Sequence, residues 1–160
     1  MTAATDGLRA LMADAVEFSV RHVESGGIPF VGLVVAGDGW VPGPGVNLVR
    51  ETGDPTAHAE IVAIREAVET RGADGLEGSM LLATGEPCAL CYRVAAGHGI
   101  AAVHFAVDRN TAAEFGFDYR ASYLADGTDR LPLAATARHL PVDRGLEPFT
   151  RYLQRSHIHF

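Results

Sequence analysis

Two short segments restrict this chain more than any other feature: His58-Ala59-Glu60, and Pro87-Cys88-Ala89-Leu90-Cys91. Cys88 follows His58 by 30 residues. Cys88 and Cys91 are the only cysteines in the chain. A C-x-x-C pair in a reducing compartment is redox-active, metal-binding or incidental, and a histidine of ligand type upstream favours the metal. Each segment opens what reads as a helix. Asp54 is the expected cap of the first, with Pro55 in its first position and Gly72 at its end. Glu86-Pro87 opens the second, which runs to about Gly97, with Glu86 as its cap. His58, Cys88 and Cys91 are thereby expected in first turns, where the helix dipole favours thiolates. Cys88 and Cys91, three apart, fall on one helix face. Any fold of this chain must then bring two helix N-termini together.

The donor types specify the metal. Zinc takes thiolate sulfur and imidazole nitrogen, and a catalytic site keeps three protein ligands and a fourth position for water. His58, Cys88 and Cys91 supply one nitrogen and two sulfurs. Glu60 lies two residues from His58, so on a regular helix the two side chains diverge by about 200°. It is therefore expected beside the ligand set rather than in it, moving a proton from water to a ring nitrogen and then to departing ammonia. A purely structural zinc would instead close its fourth position with a protein atom.

Periodicity supplies the frame. Apolar residues at 8, 11, 12, 15, 16, 20 and 23 predict a helix over residues 8–25, capped by Asp6 and stopped by Gly26-Gly27. Strands are predicted over 30–36, 80–84 and 101–107, and an irregular one over 40–49, broken by Pro42 and Pro44. Shorter helical pieces are expected near 111–115 and from Phe149 to about Ser156. Arg65 and Glu69, four apart, are placed to pair on a solvated helix face. The order predicts one α/β domain over 1–160, its sheet covered on both faces. The net charge of −7, with no lysine at all, argues against a phosphate backbone as partner and for a small neutral substrate. No run of about 18 apolar residues spans a membrane. Residues 1–11 lack an apolar signal core, so a cytoplasmic location is expected.

The segment Asp54-Pro55-Thr56-Ala57-His58-Ala59-Glu60, with 61–67 after it, resembles the bacterial guanine deaminases of the cytidine deaminase superfamily. Glu86-Pro87-Cys88-Ala89-Leu90-Cys91 is similar to their second motif. Both belong to the zinc-deaminase signature. Ala112-Ala113-Glu114-Phe115-Gly116-Phe117-Asp118 and Leu146-Glu147-Pro148-Phe149 resemble a third and a fourth stretch, which point to the guanine branch. The resemblance implies a three-layer α/β/α sandwich around a mixed, mainly five-stranded sheet. It implies a Zn2+-dependent hydrolase acting on C–N bonds of cyclic amidines, with water as co-substrate and a place in purine metabolism. Guanine or a related aminated nucleobase-like heterocycle would be the substrate; cytosine or cytidine, and tRNA adenosine, are the alternatives sharing the metal motifs. It also implies a homodimer in which residues of about 145–160 reach the partner's active site. By the same resemblance Asn47 hydrogen-bonds the ring, Phe30 packs on it, the Ala59 backbone N–H holds it and Phe160 closes the pocket. Where the family has two consecutive acids after Gly-Phe, this chain has Asp118-Tyr119, a change that bears on which ring is read. His157 and His159 match no motif.

Overall fold

The structure is a computed structural model and describes residues 3–158. Its centre is the Val-rich run after Phe30. All five residues of β1 (Val31–Val35) are buried, as a strand covered on both faces requires. β1 pairs antiparallel with β2 (Gly45–Val46) on one side and with β3 (Met80–Gly85) on the other. β3 then pairs parallel with β4 (Ala102–Val107), and β4 with β5 (Arg138–His139). The result is a mixed five-stranded sheet in the order β2-β1-β3-β4-β5.

Alternation along the strands sorts the core into two layers. Leu33, Val35 and Leu82 meet Met12 and Val16 of α1 (Ala3–Glu24) on one face. Val34, Leu81 and Val103 meet Ala63, Ile64 and Ala67 of α3 (Ala59–Arg71) and Ala95 of α4 (Ala89–Gly97) on the other. α8 (Glu147–Ile158) lies along α1, with ion pairs from Arg144 to Glu17 and from Arg151 to Glu24. This is the three-layer α/β/α sandwich. No helix among the described residues is long and apolar enough to cross a membrane.

Several boundaries differ from those expected. Asp54 does not cap α3. Its Oδ1 accepts from the Thr56 backbone N at 2.9 Å and from Thr56 Oγ1 at 2.6 Å, and its Oδ2 accepts from Arg65 at 2.8 Å. This Asx turn holds the chain out of the helix until His58, the extended N-cap at φ −69°, ψ 156°. Arg65 therefore pairs with Asp54 and Thr56 rather than with Glu69. The irregular strand over 40–49 reduces to two residues. α2 (Val49–Thr52), α6 (Ala121–Asp126), α7 (Pro132–Ala135) and β5 had no counterpart in the sequence reading. The helix near 111–115 is α5 (Arg109–Glu114), capped by Asp108 through the Thr111 N–H.

Two glycines let α3 seat its first turn on the sheet. A Cβ on Gly32 would stand 2.8 Å from the Glu60 Cα, and one on Gly45 would stand 2.5 Å from both the Ala59 carbonyl oxygen and the Ala63 nitrogen.

Candidate active site

The N-termini of α3 and α4 converge at the carboxyl end of β3, where ligand sites of open α/β sheets form. Cys88 is the extended N-cap of α4, and Cys91 lies in its first turn. His58 and Cys88 therefore both leave the chain just before a helix begins, not within its first turn. Because His58 precedes the helix, the 200° divergence of a regular helix does not set where Glu60 points relative to it.

The ligand atoms form a tight triangle. His58 Nδ1 is 3.4 Å from Cys88 Sγ and 3.5 Å from Cys91 Sγ, and the two sulfurs are 3.5 Å apart. Zinc–sulfur and zinc–nitrogen bonds of about 2.3 and about 2.0 Å at tetrahedral angles require ligand spacings of about 3.5–3.8 Å. The donor set fits zinc in type and in spacing. No fourth His, Cys, Asp or Glu joins the group among the described residues.

Glu60 is 3% exposed, and its Oε2 accepts from Cys91 Sγ at 3.2 Å. Burial pushes its carboxyl up to about 7. The Cys88–Cys91 contact, with help from His58, holds the Cys88 thiol down to about 4. The same contact and burial raise Cys91, while the Cys88 contact raises the His58 imidazole. One thiolate, one thiol and a carboxyl poised near neutrality thus share one corner. A bound divalent cation would deprotonate the second thiol as well.

In front of this corner lies a cavity of about 290 Å³. Phe30, Asn47, His58, Ala59, Glu60, Cys88, Asp118 and Tyr119, all expected at the site, line it. Cys91, 1% exposed, stands behind it. Phe160 and His159 lie outside the described residues. Phe30 is both wall and cluster member: its ring centroid is 5.0 Å from Phe117 and 5.4 Å from Phe149, edge-on to each. Asn47 also serves its own turn, accepting the Val49 N–H at 3.1 Å. Asp118, at the rim, is ion-paired with Arg120 at 2.9 Å.

Three further residues line the cavity: Ile28, Phe117 and Glu86. Phe117 was within reach of the sequence, since Phe115, Phe117 and Tyr119 recur at a spacing of two. Glu86 does not cap α4. Its buried carboxylate accepts from the Arg109 backbone N at 2.8 Å, Nε at 2.9 Å and Nη2 at 2.8 Å. The partner lies 23 residues away, beyond any local signal.

A metal held by three protein ligands against an open cavity, with a buried carboxylate at its edge, activates water for attack on a small molecule. On this sandwich that places the chain among the zinc-dependent deaminases. Residues 6–107 match the cytidine and deoxycytidylate deaminase zinc-binding region, and the chain belongs to that family. It is 40% identical over 105 residues to guanine deaminase of Bacillus subtilis (strain 168), covering 65% of this chain and 67% of that protein. Over 77 residues it is 40% identical to the tRNA-specific adenosine deaminase of Aquifex aeolicus, covering 48% of this chain and 50% of that one. Among solved structures, guanine deaminase from Bacillus subtilis superposes over 100% of this chain and 96% of its own, with a TM-score of 0.66 at 30% identity.

Proposed function

We propose that the protein is a hydrolytic deaminase that releases ammonia from guanine or a closely related aminated ring. The observation that carries this reading is the buried Glu60 carboxylate, set between the His58-Cys88-Cys91 triangle and a cavity of about 290 Å³ walled by aromatic side chains. When bound, zinc supplies a water whose pKa falls to about 7. Glu60 takes one proton from that water and gives it to a ring nitrogen, then takes the second from the hydroxyl now attached to the ring carbon and passes it to the departing amine. A C–O bond forms and the C–N bond breaks: the ring keeps the water's oxygen as a carbonyl, and the amine leaves as ammonia. Phe30 and Tyr119 present ring faces to the substrate, while the Asn47 amide, the Ala59 N–H and Asp118 are its polar contacts.

The same reading makes this a single-domain subunit of a cytoplasmic homodimer. Its C-terminal segment, about 145–160, is exchanged between subunits. An exchanged α8 makes the same contacts with the partner's α1 as with its own, which is how domain swapping keeps its cost low. The net charge of −7 supports a free base over a nucleic acid.

Ammonia release by the zinc-loaded protein, assayed on guanine, guanosine, adenine, cytosine, cytidine and aminated azines, tests the substrate class. Turnover of a free purine or azine supports it. Ammonia from none of these, or from a tRNA anticodon stem alone, refutes it.

A further inference from the structure

The turn that delivers Cys88 is gripped from outside the metal corner. Ladder pairing of β3 with β4 ends at Gly85 opposite Val107, followed by one bond from the Glu86 N–H to the Val107 carbonyl. From there two peptides, Glu86 and Pro87, lead to the N-cap, and no side chain caps α4. Each of their carbonyls accepts from a phenol. Tyr119 Oη donates to the Glu86 carbonyl at 2.5 Å, and Tyr123 Oη donates to the Pro87 carbonyl. Tyr123 lies in α6 and Tyr119 just before that helix begins, and their ring centroids are 6.1 Å apart. Tyr123 is 1% exposed, and the Arg109 guanidinium lies 3.5 Å from its ring centroid while holding the Glu86 carboxylate. Burial keeps both phenols protonated, so each remains a donor.

We propose that Tyr119 and Tyr123 are positioning residues that clamp the Glu86 and Pro87 carbonyls and so set where Cys88 stands relative to His58 and Cys91. The inference rests on reading those three residues as metal ligands. Ligand positions matter to within about 0.2 Å, and Cys88, as an extended N-cap, takes its place from the two peptides before it. The clamp also bears on how the ring is read. Tyr119 stands where the resembled enzymes carry a second acid, but its hydroxyl is committed to a backbone carbonyl. Glu86 is held by Arg109 and Asp118 by Arg120. Glu60 is thus the one cavity-lining carboxylate, among the described residues, without an arginine partner. The reaction runs on a single acid–base carboxylate, and Tyr119 offers the substrate only its ring.

The test uses Tyr119→Phe, Tyr123→Phe and the double variant, which keep the rings and remove the donors. Zinc affinity is read by competition with a chromophoric chelator, and ligand geometry by the thiolate-to-metal and d–d bands of the cobalt-substituted protein. Each single variant should weaken zinc binding about tenfold, the scale of a lost partner behind a metal ligand, and should shift the cobalt bands. The double variant should do more. The melting temperature of the metal-free form should fall by no more than the few degrees that an unpaired buried carbonyl costs. In Tyr119→Phe, kcat should fall while KM stays within about twofold, because a lost positioning contact acts on the reacting geometry rather than on binding. Unchanged affinity and bands in the double variant overturn the clamp. So does a raised KM at constant kcat, which would put the Tyr119 hydroxyl on the substrate. Failure of the unsubstituted protein to bind zinc would sink the ligand reading itself, and the clamp with it.

Discussion

Replacing Arg109 with methionine strands a buried charge. Glu86 is 5% exposed and accepts three bonds from Arg109, two from the guanidinium and one from the backbone N–H. The variant keeps only the backbone bond. Removing one partner of a buried pair costs about 3–5 kcal/mol. The remaining N–H, at 2.8 Å, puts this case at the lower end, about 3 kcal/mol. Loss of the guanidinium from its seat 3.5 Å over the Tyr123 ring adds about 1 kcal/mol. The contact to Asp129, 52% exposed, counts for little. For a chain of this size each kcal/mol moves the melting temperature by about 2–4 °C, so the expected fall is about 8–16 °C. The assay is thermal unfolding of the metal-free protein at pH 7, which separates this effect from metal binding. The decisive comparison is Glu86→Gln with Arg109→Met, where no charge is buried alone and at least half of the loss should return. A single variant melting within about 3 °C of the parent would refute the reasoning. A double variant no more stable than the single would refute it equally.

Glu60→Gln keeps the shape of the side chain but cannot shuttle a proton. Ammonia release should fall about 10²–10⁴-fold at unchanged zinc content by elemental analysis, and activity within tenfold of the parent would contradict the assigned role. Gly45→Ala drives a methyl to 2.5 Å from the α3 backbone. It should cost about 1–3 kcal/mol, seen as a lower urea midpoint at constant slope. With zinc removed by a chelator, iodoacetamide at pH 7 should modify Cys88 before Cys91. Cys88 is half-buried with its thiol held down to about 4, whereas Cys91 is buried with its thiol raised. Peptide mass spectrometry reads the order, and faster modification of Cys91 would reverse the assignment of the two sulfurs.

What the sequence made legible was what local pattern can encode. The apolar runs after Phe30 and Gly78 are strands because their burial on both faces needs no partner to be guessed; the run after Gly99, only partly buried at Ala102 and His104, is legible from its remaining apolar residues. That His58, Cys88 and Cys91 gather in one place was legible because donor type and nearness to a helix start are both local properties. The N-terminus of α3 departs from its local pattern for an equally local reason. Asp54-Pro55 has the look of a cap and a first helical residue, yet both Asp54 oxygens are taken by Thr56 and by Arg65, 11 residues on. β5 is two exposed residues, Arg138 and His139, recruited by the β4 edge, and no apolar period marks such a strand. Glu86, Arg109, Tyr119 and Tyr123 meet only through the fold. Their residue types are ordinary; only their convergence around the Glu86-Pro87 turn is informative.

The mixed order of the sheet is itself what completes the site. In an all-parallel sheet every strand would send its carboxyl end to the ligand corner, and only residues following strands could build the pocket. Here β1 runs against β3, with Gly32 opposite Ala83, so the residue that enters β1 arrives at the end that β3 leaves. That residue is Phe30. Its ring occupies the space a side chain on Gly85 would fill: a Cβ there would stand 2.5 Å from the Phe30 ring and 3.1 Å from Phe149. One reversed strand and one missing side chain thus bring an aromatic wall against the peptides that lead to Cys88. The ring proposed to pack on the substrate and the turn that presents Cys88 are therefore adjacent, and a bulkier residue at 85 would displace both together.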